Sequence, residues 1–344
     1  MKPSVCDPIG VTQDSKMTFL KQALDPHKVQ DCFERHLVST RGIKSIDLRA
    51  IQVKRYKPGR RCLIEYDVVI TDNHDRRKAL SLLGKARAKG IDVISYQALN
   101  SLWQNGFNDT SRDGISVAEP LGLIPEFQMW LQRNMPGVVA TELLDKSQGV
   151  ALALQIAEAA HKLHQTDVKM NRSHSISDEM RILHDRLGRV IQAKPDWEKR
   201  LNQLLDGSSQ LAAALSAPAT RNIHRDFYSD QVLVDGDRLY LLDFDLYCQG
   251  DPALDIGNFI GHITEYSLRN LQDPEALKDR EQALEDHFVE LAGEDTRKRV
   301  RIYTLLTLLR HIFLSTQFLE RQAITEAIID LCEQRLAHEF GMRT

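Results

Sequence analysis

The sequence predicts an α+β protein in which a small lobe, built on a mostly antiparallel sheet with one helix, precedes a larger and mostly helical lobe. Two observations support this division. Segments rich in β-branched and aromatic residues, separated by turn residues, continue as far as a breaker at Met135-Pro136-Gly137. Beyond that point apolar residues recur mainly at helical spacing. A chain of 344 residues is long enough for about two such lobes.

The predicted small lobe begins with a hairpin. Two β-rich segments within 46–70 flank the turn Tyr56-Lys57-Pro58-Gly59-Arg60-Arg61, and such a turn between strands is typical of a hairpin. The remaining elements of this lobe are expected as strands at 79–86, 114–123 and 127–131 and a helix at 92–104.

The residues before this sheet show helical spacing from Met17 to His36, so we expect a helical extension or cap there. After the breaker, helices are expected over 148–164, 177–193, 197–214 and much of 253–340. A second hairpin interrupts them around Asp235-Gly236-Asp237. The predicted domains are an extension at 1–45, a small lobe at 46–137 and a helical lobe at 138–344.

Composition excludes several classes of function. Lys and Arg number 45 against 48 Asp and Glu, and a net charge of −3 argues against bulk nucleic-acid binding. No uncharged apolar stretch reaches the roughly 18 residues of a membrane span, so no membrane partner is expected. The N-terminus lacks the apolar core of a signal peptide, and we expect a cytoplasmic protein. The pattern gives no indication of the oligomeric state.

Two aspartates carry the clearest chemical signal. Asp226 follows His224-Arg225 just before the second predicted hairpin, and Asp243 follows that hairpin. The chain can therefore bring both carboxylates to one end of the hairpin. This arrangement suits a reaction in which one carboxylate orients a hydroxyl and another holds a metal bound to phosphates.

These motifs resemble those of a known family. His224-Arg225-Asp226, then Gln231, Asp243-Phe244-Asp245 and Gly250-Asp251-Pro252 are similar to the catalytic loop and metal motif of the protein-kinase-like superfamily. The resemblance is closer still to the aminoglycoside phosphotransferase and choline kinase family. It covers roughly residues 46–340 and implies a two-lobed protein-kinase-like fold, with nucleotide binding in the small lobe and catalysis and acceptor binding in the helical lobe.

The resemblance also implies a role for each matched residue. Asp226 would orient the acceptor hydroxyl or accept its proton. Asp243 would bind Mg²⁺, with Gln231 and Asp245 as further ligands. The residues implied in nucleotide binding are Lys85 in the third strand, Lys57, Arg60 and Arg61 in the hairpin turn, and Met129 and Leu131 in the hinge strand.

Two departures from the family pattern matter. Gln231 stands where the family usually has Asn, and its side chain is one methylene longer. The predicted helix at 92–104 contains no Glu to pair with Lys85, so that Asp92 or Gln97 is the nearest polar substitute.

The leading hypothesis is an ATP- or GTP-dependent phosphotransferase that uses Mg²⁺ and phosphorylates a hydroxyl of an aminoglycoside, sugar or amino alcohol. The acidic residues Asp226, Asp230 and Asp245 suit a polyhydroxyl or cationic acceptor. The alternative is a catalytically impaired pseudokinase that acts as a nucleotide-binding or regulatory protein. A protein kinase is disfavoured, because only about five residues separate Asp243-Phe244 from Gly250-Asp251-Pro252 and leave little room for a peptide-docking segment.

Overall fold

The computed structural model describes residues 3–38, 42–168, 170–216 and 218–341. The chain divides into two compact units, the first comprising the residues up to Gly137 together with Asp235–Leu242, and the second the remainder. The predicted fold class is confirmed, because the first unit is built on a largely antiparallel sheet and the second is mostly helical.

The main sheet of the first unit has six strands in the order β1-β2-β3-β4-β7-β6. All neighbours are antiparallel except β1 and β2. The strands of the unit are β1 (Ser4–Cys6), β2 (Ile43–Lys57), β3 (Arg61–Asp72), β4 (Arg77–Arg87), β5 (Ile115–Val117), β6 (Pro120–Ile124), β7 (Met129–Arg133) and β12 (Arg238–Leu241), and the last pairs with β5 in parallel. Its helices are α1 (Leu20–Ala23), α2 (Pro26–Phe33) and α3 (Val93–Gln104).

The N-terminal segment is part of the core of this unit. Val11 and Leu20 are completely buried and Met17 is nearly so, all three within the same apolar cluster as the sheet residues. The segment also contributes β1, which lies beside β2, whereas the sequence predicted helices alone. The predicted domain boundary between residues 45 and 46 falls inside β2.

Asp14 of this segment braces the tip of the β2–β3 hairpin. Its carboxylate accepts hydrogen bonds from the Tyr56 hydroxyl at 2.7 Å and from the Gly59 backbone N–H at 2.6 Å. Gly59 has a φ of 61°, a left-handed conformation that glycine adopts readily. The Tyr56 bond, followed by the Gly59 bond, lowers the pKa of Asp14, and the same contact raises the pKa of Tyr56 to about 12.

The second unit contains most of the helices. They are α4 (Thr141–Leu144), α5 (Gly149–His164), α6 (Ile176–Ala193), α7 (Glu198–Ala213), α8 (Ala253–Tyr266), α9 (Lys278–Ala292), α10 (Arg297–Gln317) and α11 (Thr325–Glu339). Its short strands are β8 (Val138–Val139), β9 (Ser173–His174), β10 (Arg221–Ile223), β11 (Val232–Asp235) and β13 (Cys248–Gly250). β8 pairs with β11, and the other three form a sheet in the order β10-β13-β9. Within the described parts of the chain, no helix has the length and apolar character needed to cross a membrane.

We expect Gly257→Ala to lower the free energy of unfolding by about 2 kcal/mol. An added Cβ would lie 2.5 Å from the Tyr303 Cβ and 2.7 Å from the Val300 carbonyl oxygen, so α8 and α10 would have to separate. Gly188 of α6 is the control, because no atom lies within 4 Å of its added Cβ. Gly188→Ala should stabilise by about 0.5–1 kcal/mol through helix propensity. Urea unfolding measures both, and equal effects would contradict this packing.

We expect Tyr56→Phe to raise the pKa of Asp14 towards its ordinary value, because the lost hydroxyl is the largest cause of the depression. The folded-state pKa lies below the unfolded value of about 3.9, so this contribution to stability is present above that pH and is lost as the pH falls through the lowered value. A carboxyl NMR titration measures the change. Asp72, held by Arg76 at the far end of β3, should keep its pKa. An unmoved Asp14 pKa would show that the hydroxyl contact is absent.

Candidate active site

A buried carboxylate fixes the loop that carries the predicted base. Asp255, in the first turn of α8, accepts the backbone N–H of His224 at 2.8 Å and that of Arg225 at 2.7 Å. His164 Nε2 lies 2.8 Å from the same carboxylate, which is completely buried. Because Arg225 holds a left-handed φ of 71°, these bonds stabilise an unfavourable turn directly before Asp226.

The residues on either side of Asp226 are anchored in the core. The buried His224 ring lies 5.0 Å from the Phe244 ring and 5.5 Å from the Phe227 ring. Asn258 of α8 donates its side-chain amide to the Phe227 carbonyl at 2.8 Å. Asp226 is only half-buried. The loop therefore holds its backbone rigidly while the Asp226 carboxylate stays accessible.

Tyr228 connects the predicted base with the predicted metal ligands. Burial raises the pKa of Tyr228, and the negative charges of Asp226, Asp230 and Asp243 raise it further. A hydrogen bond with the Gln231 side chain lowers it. These residues therefore lie within electrostatic reach of one tyrosine. The Gln231 side chain therefore also lies close to Tyr228.

Asp243 sits in a strained turn. It precedes the short 3₁₀ turn Phe244–Leu246 and has a φ of 59°, which is uncommon for a residue with a side chain. Such strain often occurs at functional sites. Asp245 lies in the same turn, is half-buried, and its carbonyl oxygen accepts a hydrogen bond from Arg172 at 3.3 Å.

The donor chemistry of this region fits magnesium. In the described ranges, no group of three or more His, Cys, Asp or Glu side chains comes together as a metal site. Mg²⁺ seldom needs one, because it is usually bound by one or two protein carboxylates together with phosphates and water. Asp243 carries a carboxylate and Gln231 an amide oxygen, and both are hard ligands of the kind that Mg²⁺ prefers.

In the first unit, Lys85 lies against an aromatic pair. Its Nζ is 5.0 Å from the centre of the Trp130 ring, and the two residues face each other in the β4–β7 register. Tyr96 of α3 packs edge-on against the same ring at 6.1 Å. The helix thus contributes an aromatic side chain near Lys85 where the family pattern has a glutamate.

The two polar substitutes suggested by the sequence have other environments. Asp92 caps the N-terminus of α3 through the Ser95 N–H and forms an ion pair with Arg87 at 2.9 Å. Gln97 is exposed. Asp92 is therefore committed to Arg87 and to the helix cap.

The hairpin tip concentrates positive charge. Lys57 and Arg60 are exposed and Arg61 is half-buried. The charge of Arg61 is the largest cause of a lowered pKa at Lys57, followed by burial and by the charges of Arg55 and Arg60. Such a group of cations suits phosphate oxygens. Sequence reasoning missed Asp14, which holds this tip from 45 residues away along the chain.

Met129 and Leu131 are placed differently from the other predicted nucleotide-binding residues. Both side chains are completely buried in the core of the first unit. Their strand, β7, pairs with β4 on one side and β6 on the other, so that its backbone groups are used within the sheet. The assignment of these two residues to nucleotide binding stays a prediction.

Comparison with solved structures finds similar folds in choline kinases and aminoglycoside phosphotransferases. A choline/ethanolamine kinase family protein from Mesorhizobium loti is 16% identical, with a TM-score of 0.55 over 83% of this chain and 87% of that one. The aminoglycoside phosphotransferase APH(4)-Ia is 15% identical, with a TM-score of 0.57 over 93% and 98%. Choline kinase from Cryptosporidium parvum is 13% identical, with a TM-score of 0.56 over 92% and 95%.

At these identities the similarity establishes the fold alone. Comparison with curated protein sequences finds no match. The sequence profile described as the phosphotransferase enzyme family matches residues 107–302, a range that includes every motif of the catalytic loop and the Asp243 turn. Because this match spans more than half of the 344 residues, the protein belongs to the phosphotransferase enzyme family.

Proposed function

We propose that the protein is a small-molecule kinase that transfers the γ-phosphoryl group of ATP or GTP to a hydroxyl group, with Mg²⁺. The observation that carries this proposal is the Asp255-anchored loop, which presents Asp226 within electrostatic reach of the same tyrosine as Asp243. Phosphoryl transfer needs little covalent chemistry from the protein, so accurate placement of these groups provides most of the catalysis.

Asp226 is the proposed catalytic residue. Its half-buried carboxylate accepts a hydrogen bond from the acceptor hydroxyl, aims the oxygen at the γ-phosphorus and takes its proton as the bond forms. The bonds from His224 and Arg225 to Asp255 hold the carboxylate in place, so less conformational entropy is lost when the acceptor binds.

Asp243 and Gln231 are the proposed metal ligands, with Asp245 beside them. When bound, Mg²⁺ neutralises charge on the phosphate oxygens and orients them for transfer. The strained turn at Asp243 fixes its carboxylate before the nucleotide arrives. Gln231 carries the same amide oxygen as the Asn that the family usually has, and this oxygen is the proposed metal-binding atom.

The first unit supplies the proposed nucleotide-binding cations. Lys85 and the hairpin-tip residues Lys57, Arg60 and Arg61 carry the charge needed for the phosphates. A structure of APH(4)-Ia holds AMP-PNP and hygromycin B together, which supports a nucleotide donor with a small-molecule acceptor in this fold. All five cysteines are free thiols, and this favours the reducing cytoplasm as the location.

Asp226→Asn should reduce the rate of phosphoryl transfer by about 10³-fold, because an amide cannot accept the hydroxyl proton. Nucleotide affinity should stay within about twofold, since Asp226 faces the acceptor. ADP release with a panel of aminoglycosides, sugars and amino alcohols measures the rate. Asp237→Asn, in the exposed hairpin turn, is the matched control and should behave like the wild type. Undiminished transfer in Asp226→Asn would refute the assigned role.

Asp243→Asn should weaken nucleotide binding at least about tenfold with Mg²⁺ present and change it little without the metal, because the substitution removes a charged metal ligand. Isothermal titration with AMP-PNP, with and without Mg²⁺, makes this comparison. Metal-indifferent nucleotide binding by the wild type, without turnover of any acceptor, would instead favour the nucleotide-binding regulatory protein that the sequence left as the alternative.

A further inference from the structure

One arginine of the second unit lacks the partner that such a residue usually has. Arg186 of α6 is half-buried, and its guanidinium carbon lies 5.8 Å from the centre of the Phe313 ring of α10. Across the described part of the chain, its guanidinium forms no hydrogen bond or ion pair with a protein group. The neighbouring carboxylate Asp185 pairs with Arg189 at 2.9 Å. A cation that is partly withdrawn from water without a hydrogen-bonded counter-ion is costly, so an anionic ligand would stabilise it.

A second arginine lies beside it. Arg310 precedes Phe313 by three residues on α10, so the two side chains share a face of that helix. Arg310 donates to the Asn258 side-chain oxygen, and its Nη1 is 3.7 Å from Glu179 Oε2. Burial, followed by the charge of Arg310, lowers the pKa of Arg186. The two guanidinium groups therefore repel each other in a region of reduced solvation.

The third arginine belongs to the catalytic loop. Glu179 is buried, and the charges of Arg310 and Arg225 both act to lower its pKa against the effect of burial. Glu179 also lies 2.5 Å from His174. We name Arg186, Arg225 and Arg310 the arginine cluster. Arg310 lies 3.7 Å from the Glu179 carboxylate, and the charges of Arg186 and Arg225 are within electrostatic reach of it, so three positive charges act on one buried carboxylate.

The nearby histidines do not add to this charge. Tyr228 stacks on His262 at 4.5 Å, and His262 meets His311 edge-on at 4.5 Å. Burial, followed by the charge of Arg310, lowers the pKa of His311 to about 3, so its ring is neutral at physiological pH. Burial likewise lowers the pKa of His262. The positive charge therefore comes from the arginines and not from His262 or His311.

The cluster is tied to both sides of the proposed base. Arg225 directly precedes Asp226. Arg310 donates to Asn258, which in turn holds the Phe227 carbonyl at 2.8 Å. The acidic residues of this region have other tasks in the proposed function, and Asp230 accepts a hydrogen bond from Thr141. Apart from the exposed Asp230, the charge that remains for recognising an acceptor is that of the arginine cluster.

Building on the proposed function, we propose that the acceptor carries an anionic group, a carboxylate or a phosphate ester, which Arg186 and Arg225 bind while the acceptor hydroxyl reaches Asp226. The planar guanidinium fork matches both anions. The proposed class of acceptor is therefore hydroxy acids, sugar acids and sugar phosphates, and not amino alcohols or amino sugars. Arg186 thereby becomes a specificity-determining residue.

The first test titrates inorganic phosphate into the protein saturated with AMP-PNP and Mg²⁺, so that the nucleotide phosphates occupy their own site. Phosphate should bind the wild type at least tenfold more tightly than Arg186→Gln. Arg189→Gln, which removes an exposed arginine from the same helix, should match the wild type. Arg186→Met keeps the apolar contact with Phe313 and should lose phosphate binding without losing thermal stability. Phosphate affinity that is independent of Arg186 would overturn the inference.

The second test distinguishes an acceptor from any other anion. ATP-dependent transfer is compared within two matched pairs, glycerate with glycerol and gluconate with sorbitol, and with the cationic ethanolamine. The acidic members should react with the higher kcat/KM, and Arg186→Gln should raise their KM at least tenfold with little change in kcat. Arg186→Lys should restore part of the affinity, because it returns the charge.

The outcomes separate this inference from the proposed function. Preferred transfer to glycerol, sorbitol or ethanolamine, with a KM that Arg186→Gln does not change, would overturn the inference and leave the kinase proposal intact. Failure to bind nucleotide with Mg²⁺ would refute the kinase proposal, and with it the assignment of the anion to an acceptor.

Discussion

The proposed chemistry depends on one buried ionic group, the Asp255 carboxylate. An isolated charge in a protein interior is strongly unfavourable, and Asp255 is tolerated because two backbone N–H groups and His164 converge on it. The same bonds hold the turn that contains Arg225. The hydrogen bonds that stabilise the buried Asp255 carboxylate therefore also fix the backbone of a loop 30 residues earlier in the chain.

Carboxylates and guanidinium groups both lie near this loop, and their proposed roles differ. The carboxylates of Asp226 and Asp243 are assigned to the proton and the metal, and the arginine cluster is assigned to recognition. The carboxylate in contact with the cluster is Glu179, which is buried and lies 3.7 Å from Arg310. A site organised in this way can hold an anionic substrate beside catalytic carboxylates, since each positive group offsets repulsion that would otherwise weaken binding.

The sequence was most informative where function is encoded locally. The positions of Asp226 and Asp243 around one hairpin predicted two carboxylates at one end of it, because each residue lies in a short motif of fixed spacing. Asp14 and Arg186 have no such motif, and their partners lie on elements far away in the chain. The hinge-strand residues were assigned by position in the lobe. The pairing of β7 on both sides and the complete burial of both side chains depend on tertiary packing, which spacing cannot reveal.

The brace at Asp14 also bears on the order of folding. The β2 and β3 strands are neighbours in sequence, so most of their hairpin can form from local contacts. Its tip is completed only when a carboxylate from 42 and 45 residues earlier docks on Tyr56 and Gly59. Contacts of such sequence separation incur a larger loop-closure entropy and form slowly. The cationic tip should therefore be among the last parts of the first unit to reach its final shape, after the strands that carry it.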